Sequence, residues 1–222
     1  LNIYPLDKHS YIFPNPNFAE DKGLLAYGGD LNPNRIITAY TNGIFPWYNE
    51  DDPILWWSPN PRFVLEFDEF KVSKSLRKTI NKNIFEIKFD TNFEQVMREC
   101  KNINRANQDG TWIQDDVIEA YVKIHEIGLA HSFEAYLDGE LVGGGYGINV
   151  GNIFCGESMF TLKTDASKVA LYYLVQRLKE KGFKLLDCQI PTPHLKSLGG
   201  KVMPREEFLQ MVKQSSQSFT EF

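Results

Sequence analysis

The chain has 222 residues, 42% hydrophobic and 24% charged, with a formal net charge of -5 and a mean hydropathy of -0.35: the composition of a soluble globular protein, one large domain or two small ones. A transmembrane helix is excluded, because the longest apolar run, residues 169–175 with its two tyrosines, falls far short of the roughly 20 residues a span needs. The acidic balance argues against global non-specific nucleic-acid binding and leaves room for a local basic patch.

The opening segment, LNIYPLDKHS, lacks the basic and apolar regions of an export signal. Cys100, Cys155 and Cys188 are scattered and form no CxxC pair, which points to a reducing cytoplasm rather than a disulfide framework or a zinc site. His9, His125, His131 and His194 are too dispersed to suggest a metal cluster.

Residues 1–70 hold eight of the eleven prolines and three of the four tryptophans. Proline at that density breaks long elements, while the aromatics demand burial, so this stretch is expected to be a small folded domain with the remainder, 71–222, as a second one. Asn32-Pro33 reads as an N-cap followed by proline at the first helical position. Ile36, Ile37, Ala39 and Tyr40 supply the apolar face of that helix, and Gly43 its stop.

Residues 71–82, KVSKSLRKTINK, carry five cations (Lys71, Lys74, Arg77, Lys78 and Lys82) and no acid. On a helix Lys71, Lys74 and Lys78 share a face that Lys82 continues, with Val72, Leu76 and Ile80 on another. The segment is either a solvated helix face or a stripe that contacts phosphates.

From residue 84 the order is legible. Residues 84–89 alternate as a strand, and Asp90-Thr91 is expected to cap a helix over Phe93, Val96, Met97 and Cys100. A loop rich in Asn, Gln, Asp and Gly leads to Trp112, and Asp115 or Asp116 opens a second helix that ends at Gly128. Residues 132–137 and 141–148 flank Asp138-Gly139, a two-residue hairpin signal, and 153–160 completes an antiparallel meander. Thr164-Asp165 is expected to cap a long helix with Leu171, Leu174, Val175 and Leu178 inward; a short strand at 184–189 and a helix from Pro193 follow, and 215–218 reads as a frayed tail. The string β-α-α-β-β-β-α-β-α resembles the core of the GCN5-related N-acyltransferase fold, giving an α+β protein with a mixed, mainly antiparallel sheet flanked by helices.

Coenzyme A enzymes of that fold bind pyrophosphate on a glycine-containing turn that opens the long helix. Here no glycine lies between Phe160 and Gly182, and Asp165 stands where an anion would arrive. The cluster Gly143, Gly144, Gly145 and Gly147 lies within a strand, where close approach of a backbone or ligand is the better reason.

Three constellations remain. Asp187 and Gln189 fall on one face of a core strand and Cys188 on the other; the pair either buttresses the sheet or orients a reacting amine or carbonyl, and Cys188 reads as an inert buried thiol. Glu157 is a charge in an apolar strand, facing solvent or holding a substrate ammonium beside Phe154, Met159 and Phe160. Trp56 and Trp57 read as core, whereas Trp47 and Trp112 adjoin polar segments where an indole either packs or stacks on a base.

Long blocks of the chain resemble the bacterial leucyl/phenylalanyl-tRNA–protein transferase family. They include GLLAYGGDLNPNRIITAY at 23–40, NGIFPWY at 42–48, DPILWWSPNPRFVL at 52–65, GTWI at 110–113, LVGGGYG at 141–147, FCGESMF at 154–160, DASKVAL at 165–171 and LLDCQIPTPHLKSLGG at 185–200. The resemblance implies an enzyme that moves leucine or phenylalanine from Leu-tRNA or Phe-tRNA to proteins with N-terminal Arg or Lys, marking them for degradation, as a cytoplasmic monomer with no cofactor and no membrane. It implies that Asp187, Gln189 and Glu157 serve catalysis, that Tyr40, Trp47, Trp112, Tyr121, Phe154, Met159 and Leu171 bind substrate, and that Lys71, Lys74, Arg77, Lys78 and Lys82 meet tRNA. Gly145 stands where the resemblance leads one to expect a bulky apolar residue such as Met, so the glycine is expected to enlarge or reshape the side-chain pocket and alter the leucine-versus-phenylalanine preference. The competing readings are a coenzyme A-dependent N-acyltransferase of small molecules and a non-catalytic RNA-binding module.

Overall fold

The computed structural model describes residues 3–103, 111–218 and 220–222. The Asn-, Gln- and Asp-rich loop expected before Trp112 lies outside the described residues over 104–110. A four-stranded sheet takes β1 (Tyr4–Leu6), β2 (Leu24–Gly28), β3 (Phe45–Pro46) and β4 (Leu55–Trp57), in the order β1-β2-β4-β3. Helix α1 (Pro33–Thr41) begins as its sequence predicts: the Asn32 side chain accepts from the Asn34 amide and Pro33 fills the first position. Gly43 follows its end at φ +69°, a conformation glycine adopts without strain.

Seven strands form the main sheet: β5 (Arg62–Glu66), β6 (Glu86–Phe89), β7 (Ala130–Leu137), β8 (Glu140–Val150), β9 (Ile153–Thr161), β10 (Leu185–Gln189) and β11 (Lys201–Met203), in the order β11-β5-β10-β9-β8-β7-β6. Every pair is antiparallel except β9 with β10. The Asp138-Gly139 turn joins β7 to β8 with both residues at positive φ, +52° and +84°, as a tight hairpin requires. Because β5 pairs within this sheet, the chain leaves the first sheet before residue 62 rather than at 70.

The helices are α2 (Lys74–Asn81), α3 (Phe93–Asn102), α4 (Asp115–Glu126), α5 (Ala166–Glu180), α6 (Pro193–Ser197) and α7 (Arg205–Ser215). They supply two separate cores. Residues of α1, α3, α4 and α7, with Trp56 of β4, pack in one; residues of α2 and α5 pack with Leu65, Phe133, Phe154 and Leu186 in the other. Alternation along β10 follows this division, with Leu185 in the first core and Leu186 and Cys188 in the second. Among the described residues no helix is long and apolar enough to cross a membrane.

Several local expectations are corrected. Asp90 does not cap α3: at φ +58° its carboxylate accepts from the Ser132 amide at 2.8 Å and meets His131 Nδ1 at 2.8 Å. The helix entrance is satisfied by the buried Glu134, whose Oε1 accepts from the amides of Thr91 and Asn92 at 3.0 and 2.9 Å. Asp165 precedes α5 in a left-handed conformation and turns its carboxylate to Thr79 Oγ1 at 3.0 Å and Lys168 Nζ at 3.4 Å, not to the helix amides. The histidines are less dispersed than their spacing suggests, since His125 and His131 converge on Asp90; the ring nitrogens involved are engaged by protein oxygens, His125 Nδ1 by the Ala130 carbonyl and His131 by Asp90 and the Gly128 carbonyl. Ser215 is no frayed tail: buried, its Oγ donates to the Val150 carbonyl at 2.6 Å and accepts from the Asn152 amide at 2.7 Å.

Candidate active site

Pairing between the parallel strands β9 and β10 ends at Asp187 opposite Cys155. Beyond it the strands part, and a cavity of about 380 Å³ opens there. One wall comes from the first sheet, with Phe45, Pro46 and Trp47, and Trp112 stands with it from the segment leading into α4. Apolar lining comes from Phe154 and Met159 of β9, Leu171 and Leu174 of α5 and Leu186 of β10. Glu157, Ser158, Gln189, Thr192 and His194 supply the polar groups. An apolar hollow with a few convergent polar side chains is the usual form of a small-ligand site.

Gln189 owes its place to a break in strand geometry. A register shift between Asp187 and Gln189 and a φ of +62° turn it out of the simple alternation that puts it on Asp187's face. Its backbone N–H donates to Asp187 Oδ1 at 3.0 Å, and its side-chain Nε2 donates to Glu157 Oε1 at 2.7 Å. The carboxamide is therefore oriented by Glu157, and Asp187 reaches only the backbone.

Glu157 is half-buried on the cavity wall. Burial pushes its carboxyl up to about 8; hydrogen bonds from the Tyr40 hydroxyl and the Gln189 amide pull the other way, and the Asp187 charge adds to the rise. Behind it the Tyr40 and Tyr121 hydroxyls share a 2.8 Å hydrogen bond, both phenols held well above their ordinary range first by burial and then by the Glu157 charge. Burial likewise pushes the Cys188 thiol up, so it stays protonated. Burial, then the Lys168 charge, holds His194 below its ordinary value.

Of the residues singled out from the sequence, Trp47, Trp112, Phe154, Glu157, Met159, Leu171 and Gln189 line the cavity. Trp47 is 39% exposed and Trp112 only 6%. Tyr40 and Tyr121 do not line it; they stand behind Glu157, buried at 2% and 0% exposure. Asp187 is fully buried and reached from the other side by Arg62, with Arg62 Nε to Oδ1 at 2.8 Å and Nη2 to Oδ2 at 2.7 Å. That pairing removes Asp187 from contact with any ligand in the cavity. Cys188, expected to face away, lines the cavity wall, because its core faces the hollow beside Leu174.

The five cations of 71–82 are all exposed, outside the cavity. The helix starts only at Lys74, capped by the Ser73 side chain on the Leu76 amide, so Lys71 precedes it and Lys82 caps its far end. Gly145 leaves no enlarged pocket: a Cβ there would lie 2.6 Å from Phe133 Cζ and 2.7 Å from Met159 Cγ, so those side chains already fill the space. Sequence reasoning missed Arg62, whose signal is a lone cation opening the apolar strand RFVLE, and the rim residues Thr192 and His194.

Residues 64–213 match the family model described as leucyl/phenylalanyl-tRNA protein transferase, and 29–60 match the model of that family's N-terminal domain. The leucyl/phenylalanyl-tRNA–protein transferase of Sulfurimonas denitrificans is 60% identical over 207 residues, 93% of this chain and 90% of the relative. That of Myxococcus xanthus is 51% identical over 210 residues, 94% and 90% of the two chains. Among solved structures, a sisomicin-bound aminoglycoside acetyltransferase from a soil metagenomic sample covers 60% of this chain and 89% of its own at 17% identity and a TM-score of 0.39. The cavity thus belongs to an enzyme of the aminoacyltransferase class, built as an α+β protein with a small N-terminal domain. The chain belongs to the leucyl/phenylalanyl-tRNA–protein transferase family.

Proposed function

We propose that the cavity receives the aminoacylated 3′ end of leucyl- or phenylalanyl-tRNA and that the enzyme joins that amino acid to an N-terminal Arg or Lys of an acceptor protein. The observation that carries this reading is the Glu157–Gln189 pair, held at 2.7 Å on the wall of a largely apolar hollow flanked by two indoles. Phe154, Met159 and Leu171 offer the surface a Leu or Phe side chain needs. Trp47 and Trp112 are suited to stack on the terminal adenine. The exposed cations of 71–82 suit the phosphates of the acceptor arm.

An aminoacyl ester is already activated, so the chief task is to align it with the attacking amine, worth roughly 7–11 kcal/mol of barrier. The amine nitrogen bonds to the ester carbonyl carbon, the carbon–oxygen bond to the ribose breaks, and the proton that the nitrogen loses ends on the departing ribose oxygen as its hydroxyl. Gln189 donates its amide to Glu157, which leaves its carbonyl oxygen to accept a hydrogen bond from the amine. Glu157, at about 8, is near the reference value of about 8 for a free α-amine, so proton transfer between them is almost balanced. Asp187, already matched by Arg62, contributes no free charge for the acceptor's cation.

The working enzyme is read as a cytoplasmic monomer whose products are marked for degradation. Purified protein, Phe-tRNA or Leu-tRNA and a peptide beginning with Arg should yield the peptide extended by one residue, read by mass spectrometry. Failure with both charged tRNAs against both Arg- and Lys-initiated peptides would remove the proposal.

A further inference from the structure

We propose that Arg62 is a positioning residue for the transfer reaction, acting on Gln189 through Asp187 and on Trp47 through Gly43 and Phe45. The inference rests on the function proposed above and identifies what holds its two working surfaces in register.

Arg62 is 1% exposed and grips Asp187 with two parallel hydrogen bonds, 2.8 and 2.7 Å long. Its remaining arm, Nη1, donates to the Gly43 carbonyl at 3.2 Å. The guanidinium lies near two rings, 4.8 Å from the centroid of Phe45 and 4.5 Å from that of Phe208. A planar fork satisfied in this way has a single orientation, which an ammonium on a flexible stem does not reproduce.

The clamp has two outputs. Asp187 Oδ1 also accepts the backbone N–H of Gln189, the bond that spans the register shift and holds Gln189 at φ +62°, where a non-glycine residue is uncommon. Without that acceptor a buried N–H is left unpaired, and the residue relaxes toward extended backbone, carrying its carboxamide away from Glu157. The other output is the opposite wall: Gly43 and Phe45 lead directly into Pro46 and Trp47, which face the cavity. Arg62 and Asp187 themselves do not line it. One buried cation thus spaces the indole wall from the carboxamide, and a misplacement of about 1 Å is enough to cost roughly 100-fold in rate.

The test compares transfer from Phe-tRNA to an Arg-initiated peptide by the wild-type protein, by Arg62→Lys and by the double variant Arg62→Met, Asp187→Leu, together with thermal unfolding of each. Arg62→Lys keeps the charge and loses the fork; kcat should fall about 10- to 100-fold, with any rise in KM for Phe-tRNA, from a displaced Trp47, smaller than the fall in kcat. The double variant removes both buried charges at similar volume, a change often neutral or stabilising. It should unfold near the wild-type temperature and still transfer at least about 10-fold more slowly. A double variant that folds and transfers at the wild-type rate would overturn the proposal, because the pair would then be packing alone. If the double variant does not fold, Arg62→Lys decides: unchanged kcat, or a loss confined to KM, overturns it. Absence of transfer by the wild-type protein is a separate outcome that removes the proposed function itself.

Discussion

Gln189 and Glu157 stand on adjacent parallel strands that have already parted, and the Gln189 carboxamide bridges the gap by donating to Glu157 Oε1 at 2.7 Å. The bond fixes which end of the carboxamide remains available, its carbonyl oxygen, and it ties the orientation of one side chain to the protonation of the other. The first two predictions follow from that coupling.

Glu157 is raised from 4.5 to about 8 by burial. Transfer that uses its ionised form should therefore rise with pH up to about 8 and then level, and Glu157→Gln should lose most of its turnover, keeping only the limb that the attacking amine's own titration contributes. Stability moves the opposite way. Between 4.5 and about 8 the folded protein keeps a proton that the unfolded chain has released, so the contribution of this group falls as pH rises through that window. Melting temperatures measured at pH 5 and pH 8.5 should drop more for wild type than for Glu157→Gln; equal drops would mean Glu157 titrates as an ordinary carboxyl.

Gln189→Ala removes the carbonyl acceptor and leaves the indole walls in place. Turnover should fall about 100-fold or more, in the range seen when one positioned polar group is deleted from an active site, with Phe-tRNA affinity unchanged by filter binding. Retained turnover would leave the carboxamide without a part in the reaction.

The two tryptophans should separate by their burial, 39% exposed at Trp47 against 6% at Trp112. Either change to Ala should weaken binding of the charged end by about 1–3 kcal/mol, the worth of one base stacked on an aromatic. Only Trp112→Ala should also lower the melting temperature markedly, because it vacates packed space against Tyr121.

On α2, Lys74→Glu with Lys78→Glu should weaken binding of charged and uncharged tRNA alike. The dependence of affinity on salt should also flatten, by about 0.7–0.9 in logarithmic slope for each phosphate that is no longer neutralised. Binding that keeps its full salt slope would assign the phosphates to other cations.

Gly145→Ala tests the correction at the pocket. Its Cβ would lie 2.5 Å from the Ser158 carbonyl oxygen as well as against Phe133 and Met159. The variant should lose about 1–3 kcal/mol of stability by overpacking, measured by urea unfolding, with no gain for a larger amino acid.

Local grammar was readable in the chain. Asn32-Pro33 and Asp138-Gly139 act through their own backbone and immediate neighbours, so their motifs suffice to locate a helix start and a hairpin. Part of the apolar side of the cavity was also legible, because Leu171 recurs on the inward face of α5; Phe154 and Met159, five positions apart on β9, share that wall only through the register shift that leaves Glu157 as an extra residue between them. What spacing could not disclose are partners far apart in sequence. Arg62 and Asp187 are 125 positions apart, and Tyr40 and Tyr121 are 81 apart. Period-2 reasoning set Gln189 beside Asp187 because a bulge leaves no mark in a five-residue strand. Asp90 failed as a cap for a related reason: its carboxylate was claimed by β7, whose approach only the folded sheet determines.

The cavity walls come from different sheets, Trp47 just past β3 of the small one and Gln189 on β10 of the large one. Neither half, expressed alone, would contain a complete socket, and a fragment beginning at residue 62 would present its carboxamide to open solvent. Because α1 and Trp56 of the small half share a core with α3, α4 and α7 of the large one, any change that loosens the seam would spoil the socket, so mutational sensitivity should concentrate along that join as much as around the reacting atoms.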